Sequence, residues 1–346
     1  MRVIGAAEVD AALSFPTLIA ALKEAFAGTI TVPVRHHHTI ERAGFVQATH
    51  LIMPAWTNMA SANFLGTKIV NVFPENGKRG LPSISGTYLL MSGETGETLA
   101  AIDGTRLTTW RTAAASALAA SYLAREDATR MVMVGAGALA PFLIRAHASV
   151  RPIRHVTLWN QSRANADRLA DTFAKSGMDI DVTDNLEAAV NNADIVCCAT
   201  LSSQPLVRGA WLKPGSHLDL VGAYSPTMRE SDDNCVRRAM LFVDTRGGAL
   251  KEGGDIVQPL ASGVINASDV RADLFDLCRG TVKVTRAAQD ITLFKSVGTA
   301  IEDLAAAMLV WRNTLVQDNV SKKQTLPNSR GEPAMICHSG YIKVAE

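Results

Sequence analysis

Apolar and polar positions along the chain change their period twice, and each change marks a different kind of structure. Across Val9–Phe26, Leu13, Phe15, Leu18, Ile19, Leu22 and Phe26 recur at helical spacing, and Gly28 stands where such a helix would stop. Shorter apolar runs follow at Thr31–Ile40, Val46–Met53 and Leu65–Phe73, with turn signals at Asn76-Gly77 and Arg79-Gly80-Leu81-Pro82. Ser85–Leu90 and Thr98–Ile102 predict a hairpin around Ser92-Gly93-Glu94-Thr95-Gly96. The first hundred residues therefore read as a strand-rich unit behind one helix. Leu107–Arg125 is rich in alanine, and Ala113, Ala114, Ala117, Leu118 and Ala120 predict a helix with a face of small residues suited to close packing. It leads from the first unit into the next.

From Thr129 strands and helices alternate. Strand candidates are Arg130–Val134, His155–Trp159, Asp179–Val182, Ile195–Ala199, His217–Val221 and Leu241–Asp244, with helical segments between most of them. This pattern predicts an α/β fold with a doubly wound parallel sheet. The first strand ends in Gly135-Ala136-Gly137-Ala138-Leu139-Ala140, a G-x-G-x-x-A turn of the dinucleotide-binding βαβ type. There Gly135 permits the tight turn, Gly137 lets backbone approach a pyrophosphate, and Ala140 lets the following helix pack closely on the strand. The helix N-terminus offers free N–H groups to the phosphates. After about Leu274 the pattern changes again. Ile291–Trp311 contains a second Ala-rich helix from about Thr299, predicted to return to the first unit. Beyond Gln317 the tail is polar, with Pro327, Asn328, Ser329 and Gly331, and shows no clear period.

Composition narrows the reading. A chain of 346 residues suggests two domains. With 47% hydrophobic and 19% charged residues it can bury a large core. A net charge of +1 gives no electrostatic case for nucleic acid or an anionic membrane surface. Five scattered cysteines without a C-x-x-C read as packing residues in a reducing cytoplasm. Glu8 and Asp10 interrupt any apolar leader, and the run Met131–Ile144 between Arg130 and Arg145 is short for a membrane span.

The end of the second strand discriminates between nicotinamide cofactors in this fold: an acid there binds the ribose hydroxyls of NAD. Here Leu158-Trp159-Asn160-Gln161-Ser162-Arg163 has no acid. Asn160, Ser162 and Arg163 are types that hold a 2′-phosphate, so NADP(H) is the expected cofactor, with NAD(H) second. Arg163 also reads as a solvated residue opening the next helix. Thr200 and Leu201, after the fourth strand, stand where the fold lines its crevice. In the first unit Lys68 lies within the apolar strand Phe64–Val70, where a lysine is costly unless it faces solvent or an anion; alternation alone allows either. Arg111 precedes the Ala-rich helix face and suits a carboxylate or phosphate. His36-His37-His38 alternate across a strand, so they make a poor metal site, and no metal is expected; whether one of them faces a pocket stays open.

Several stretches together carry a resemblance: Leu51-Ile52-Met53-Pro54-Ala55-Trp56, Gly66-Thr67-Lys68-Ile69-Val70, Asp103-Gly104 with Arg111-Thr112-Ala113-Ala114, the Gly135–Ala140 turn, and Phe294-Lys295-Ser296-Val297-Gly298-Thr299-Ala300-Ile301-Glu302-Asp303. Over residues 1–315 the chain resembles the ornithine cyclodeaminase/mu-crystallin family. The resemblance implies a homodimer. It also implies a substrate-binding and dimerisation domain from residues 1–115 and 290–320, around a Rossmann domain at 116–289, with 321–346 as a tail. It implies that Arg35 and Lys68 hold a substrate carboxylate, that Arg111 lies near substrate and cofactor phosphate, that Lys68 and Arg111 serve catalysis, and that Thr112 and Val297 join the cofactor site. Ornithine cyclodeaminases carry an Asp in a G-x-D-x-P-G-K stretch, where this chain has Gly222-Ala223-Tyr224-Ser225-Pro226-Thr227-Met228. Tyr224 in place of the acid removes the lyase's general base. The chain is thus more similar to the family's reductases of Δ1-pyrroline-2-carboxylate, with Δ1-piperideine-2-carboxylate as a second expected substrate. An ornithine cyclodeaminase, an NADPH-dependent small-ligand binder like mu-crystallin, and a reductive aminase of 2-oxo acids are the alternatives. The proton source stays open among Tyr224, a histidine of 36–38, Lys68 and water.

Overall fold

The computed structural model describes residues 1–58 and 63–325, with side chains through residue 318. The predicted first helix is two helices, α1 (Ala6–Ala12) and α2 (Phe15–Ala27). The break falls where Ser14 caps α2 and Pro16 sits in its first turn, the one helical place where a missing N–H costs nothing. Around them run β1 (Arg2–Ile4), β2 (Ile30–Thr31), β3 (His36–Ile40), β4 (Ala48–Thr57), β5 (Phe64–Val72), β6 (Ile84–Ser92) and β7 (Thr98–Asp103). The run predicted as one strand over Thr31–Ile40 is split into β2 and β3, with Pro33 in the gap. The β6–β7 hairpin forms as expected, with Gly96 at φ 74° in its turn. The sheet runs β1-β7-β6-β5-β4-β2, with β3 also paired to β4.

Helix α3 (Gly104–Leu123) starts three residues earlier than predicted, where Asp103 accepts the N–H of Arg106 at 2.8 Å. Its alanines are buried on every side and not along one face only, because α3 packs at once against α2 and the first sheet on one side and the second unit on the other. The second unit comprises β8 (Arg130–Val134), α4 (Ala140–Val150), β9 (His155–Trp159), α5 (Arg163–Asp171), β10 (Asp179–Val182), α6 (Leu186–Asn192), β11 (Ile195–Cys198), β12 (His217–Leu220), α7 (Asp233–Arg238), β13 (Ala239–Val243), α8 (Arg246–Glu252), α9 (Gly254–Ala261), β14 (Val270–Asp273), α10 (Leu274–Arg279) and β15 (Ile291–Lys295). All its strand pairs are parallel, in the order β10-β9-β8-β11-β12-β15-β13-β14. The order reverses between β8 and β11, which opens a crevice at the carboxyl ends of the strands.

β1 escaped the sequence pattern, and so did two strands of the second sheet. β14, Val-Arg-Ala-Asp, is short and polar; β15 follows a long irregular stretch yet inserts between β12 and β13, fully buried. The last helix, α11 (Ala300–Thr325), packs on α1, α2 and α3 and on β4, β5 and β6. It extends well past the predicted end at Trp311 and takes in the first residues of the expected polar tail. The remainder of that tail, including Pro327, Asn328, Ser329 and Gly331, lies outside the described residues. Among the described residues no helix is long and apolar enough to cross a membrane.

Candidate active site

A cavity of about 340 Å³ lies between the two sheets. Arg35, Lys68 and Arg111 line it, and so do Thr112, Leu139, Thr200, Leu201, Tyr224 and Val297. Residues chosen for two separate reasons, cations for an anion and turn residues for a nucleotide, thus share one space.

Lys68 points inward from β5 and is 2% exposed, so alternation does not place it in solvent. Its Nζ donates to Asp303 Oδ1 at 2.8 Å and to Thr108 Oγ1 at 3.3 Å, and it also lies 2.8 Å from Asp303 Oδ2. Arg111 donates from Nε to Asp303 Oδ1 at 3.0 Å and from Nη1 to Glu302 Oε2 at 2.6 Å, while Nη2 makes no hydrogen bond to the described residues. The two carboxylates grip the cations from behind. Burial, reinforced by Arg111, pushes the Lys68 ammonium down to about 8. Burial raises the Asp303 carboxyl, but Arg111 and Lys68 outweigh it and hold it below its ordinary range. Burial, with the nearby Asp244 and Asp303 carboxylates, pushes Glu302 up to about 7 against the pull of Arg111. Arg35 reaches across from the segment before β3, donates to the carbonyl of Gly298 and pairs with Glu252 at 3.3 Å. Gly298, at φ 78°, has no room for a side chain, since a Cβ would lie 2.3 Å from Arg111 Nη1. Asp244 holds this turn by accepting the N–H groups of Val297 and Gly298, each at 2.7 Å.

The opposite wall is apolar, with Leu51, Met53, Val70, Val72 and Ile84. Strand pairing also settles the histidines. His37 pairs with Leu51 and so shares the cavity face of the sheet, but it is exposed and does not line the cavity; His36 and His38 lie on the outer face, with His50 across from His38. Among the described residues the one group whose ligand atoms gather closely enough for a metal is His147, Cys197 and Asp219. It is a buried hydrogen-bonded core network: Asp219 accepts from Ser116 Oγ and Cys197 Sγ, each at 3.1 Å, and its Oδ2 lies 3.0 Å from His147 Nε2.

The glycine turn fits a dinucleotide. Gly135 has φ 107°, and a Cβ there would lie 2.6 Å from the carbonyl of Ala199, so only glycine closes this turn. Nothing lies within 4 Å of the Cβ position of Gly137, and the N–H groups of Gly137, Ala138 and Leu139 donate to no acceptor among the described residues. This is a nest of free donors at the start of an 11-residue helix. Asn160 plays a part that sequence reasoning did not assign: its Oδ1 accepts the N–H of Ala136 at 3.1 Å and its Nδ2 donates to the carbonyl of Ser162 at 2.9 Å. It couples the turn to the end of β9. Ser162 caps α5 without a side-chain bond to the helix, and Arg163, half exposed, pairs with Asp184 at 2.6 Å.

Sequence reasoning also gave no role to Asp303, Glu302, Asp244 or Glu230. The available signal was an adjacent acid pair, Glu302-Asp303, opening an otherwise alanine-rich helix.

With a Rossmann-type parallel sheet, a free-donor turn and a cation-lined cavity, the molecule is of the dinucleotide-binding α/β class. Residues 2–318 match the ornithine cyclodeaminase/mu-crystallin family, and the chain belongs to it. It is 36% identical over 312 residues to a Δ1-pyrroline-2-carboxylate reductase of Colwellia psychrerythraea, covering 89% of this chain and 97% of that one. It is 34% identical over 280 residues to the mouse ketimine reductase mu-crystallin, covering 81% and 82%. The structure of Thermococcus litoralis Δ1-pyrroline-2-carboxylate reductase in complex with NADH and L-proline matches it with a TM-score of 0.87 and 33% identity, covering 92% of this chain and 98% of that one.

Proposed function

We propose that this protein reduces the C=N bond of cyclic ketimine carboxylates with NAD(P)H. The leading substrate is Δ1-pyrroline-2-carboxylate, giving L-proline, and the second is Δ1-piperideine-2-carboxylate, giving L-pipecolate. The observation that carries the reading is the meeting of Arg35, Lys68 and Arg111 with the nucleotide-side residues Leu139, Thr200 and Val297 around one cavity. Named relatives with this activity support it.

The dinucleotide, when bound, supplies the hydride. This chain's residues do the rest. The free N–H groups from Gly137 to Leu139 hold the pyrophosphate, and Thr112, Thr200 and Val297 border the remainder. Lys68 and Arg111, with Arg35, take the substrate carboxylate from the cavity wall, while Leu51, Met53 and Val70 receive the ring methylenes. Fixing the carboxylate orients the imine carbon for attack, a major source of rate. Tyr224 lines the cavity at the position of the lyase's acid, so no carboxylate is present there to help water attack an imine intermediate. NADP(H) is preferred: the Ser162 hydroxyl is uncommitted to its helix, and an exposed pair such as Arg163–Asp184 is held by only about 0–1 kcal/mol, so a 2′-phosphate can displace it. The protein works as a cytoplasmic homodimer.

The test is NADPH and NADH oxidation with Δ1-pyrroline-2-carboxylate, set beside ornithine plus NAD and pyruvate plus ammonia. Fast oxidation with the cyclic imine alone is expected. Its absence, or proline and ammonia from ornithine, overturns the reading.

A further inference from the structure

Glu230 is fully buried behind the wall of the cavity described above, yet its carboxylate binds two of the segments that line it. Oε1 accepts the N–H of Thr200 at 2.6 Å and its Oγ1 hydroxyl at 2.8 Å; Oε2 accepts the N–H groups of Gly222 at 2.7 Å and Ala223 at 3.3 Å. Both oxygens face donors, so the site is built for a carboxylate: an amide in its place would turn an NH2 group toward an N–H. The segments are pressed together, and a Cβ on Gly222 would lie 2.0 Å from the carbonyl of Thr200.

Glu230 is itself anchored. Its N–H, the N–H of Ser231 and the Ser231 hydroxyl donate to Asp255 Oδ1 at 2.8, 3.0 and 3.1 Å. Asp255 Oδ2 pairs with Lys295 Nζ at 3.3 Å, and Asp255 and Lys295 are both fully buried. Lys295 ends β15, directly before Ser296–Gly298. One polar network therefore ties together the carboxyl ends of β11, β12 and β15, whose next residues form a continuous part of the cavity wall. Two carboxylates and an ammonium removed from water are costly to maintain, and a hydrophobic core would pack as well. What the network adds is fixed placement of Thr200 and Gly222–Ala223, which lie across the strand-order reversal from the Gly135 turn. In a dinucleotide crevice that side receives the half carrying the reactive ring.

We propose that Glu230 is a positioning residue that shapes the nicotinamide half of the crevice through Thr200 and Gly222–Ala223, with Asp255 and Lys295 as its support. The inference rests on the dinucleotide reading above. It predicts selective damage: losing Glu230 disturbs the nicotinamide half and spares the adenosine and pyrophosphate half.

The experiment compares Glu230→Gln and Glu230→Asp with the wild type in calorimetric binding of NADPH, NADH and ADP-ribose, and in steady-state kcat and KM. In Glu230→Gln, NADPH and NADH binding should weaken at least about tenfold and kcat should fall, with ADP-ribose affinity unchanged. Glu230→Asp keeps the charge at shorter reach and should lie between; it carries the test if the amide variant fails to fold. Unchanged dinucleotide binding and kcat, or equal weakening of dinucleotide and ADP-ribose, overturns the proposal. A wild type that binds neither dinucleotide nor ADP-ribose overturns the functional reading itself, an outcome distinct from wild-type binding with an indifferent variant.

Discussion

Lys68 holds its position because Asp303 and Thr108 bind it from inside, and its ammonium donor lines the cavity. If that donor anchors the substrate carboxylate, Lys68→Met should lower kcat/KM by about a hundredfold or more, chiefly through KM, since one buried charge-assisted bond is lost and Asp303 is left half-neutralised. The same lysine sets a pH dependence. Only the ammonium anchors, so substrate affinity should fall as pH rises through about 8, and Lys68→Arg should move that limb upward. Stability has the opposite sign. A lysine whose folded pKa lies below its ordinary value of 10.5 costs stability below about 8, and the cost fades between 8 and 10.5. Activity lost above pH 8 on Lys68's account should therefore come without loss of thermal stability, which paired melting curves and rate profiles would check. On the cofactor side, Arg163→Ala should raise KM for NADPH by about tenfold and leave NADH nearly unchanged. Equal effects on both would remove Arg163 from phosphate recognition.

Helix α3 joins the two units, and its size limits are strict. Ala113, Ala114, Ala115, Ala117, Ala119 and Ala120 are each fully buried, with α2, α4 and α11 packed against the same helix. Interhelix approach there is set by the methyl side chain, so Ala117→Leu should destabilise by about 1–3 kcal/mol through overpacking, read as a shift in urea midpoint. Because α3 also carries Thr108, Arg111 and Thr112 into the cavity, turnover should fall with it. The alanine pattern was legible as a helix, but its burial on every side was not. A small-residue face says that something packs closely and leaves open how many partners do. β15 shows the same limit: Ile291–Lys295 looks like any short apolar run, and only pairing with both β12 and β13 makes it a central strand.

Across the molecule, the first sheet has one face on the helices and one open. Cross-strand pairing puts Ile52, Pro54, Trp56, Leu65, Ile69, Leu89 and Met91 together on the open face, opposite Met53, Lys68 and Tyr88, and none of them is fully buried. An apolar sheet face of this kind is where the proposed homodimer should close. Ile69→Lys should convert a dimer to monomers in sedimentation velocity, while a wild type already monomeric would sink the dimer reading. The cavity lies between two separately built sheets, which α3 bridges by packing on β5 and β6 of one and on β12 and β15 of the other.

The order of amino acids by itself determined the parallel α/β unit, through the alternation of short apolar runs with helical segments. It also determined the turn at Gly135–Ala140, through a glycine pair placed at the end of the first strand of that alternation. Lys68 was suspect in the sequence because a charge among apolar residues needs a partner, and Arg111 because a guanidinium before the Ala-rich face suits a carboxylate or phosphate. The identity of the partner was decided only by tertiary structure. Asp303 lies 235 positions from Lys68 along the chain and 2.8 Å away in space, and Glu230 reaches Thr200 across 30 positions at 2.6 Å. Period and propensity are short-range signals. A buried carboxylate's role depends on which donors surround it, and folding alone brings those donors together.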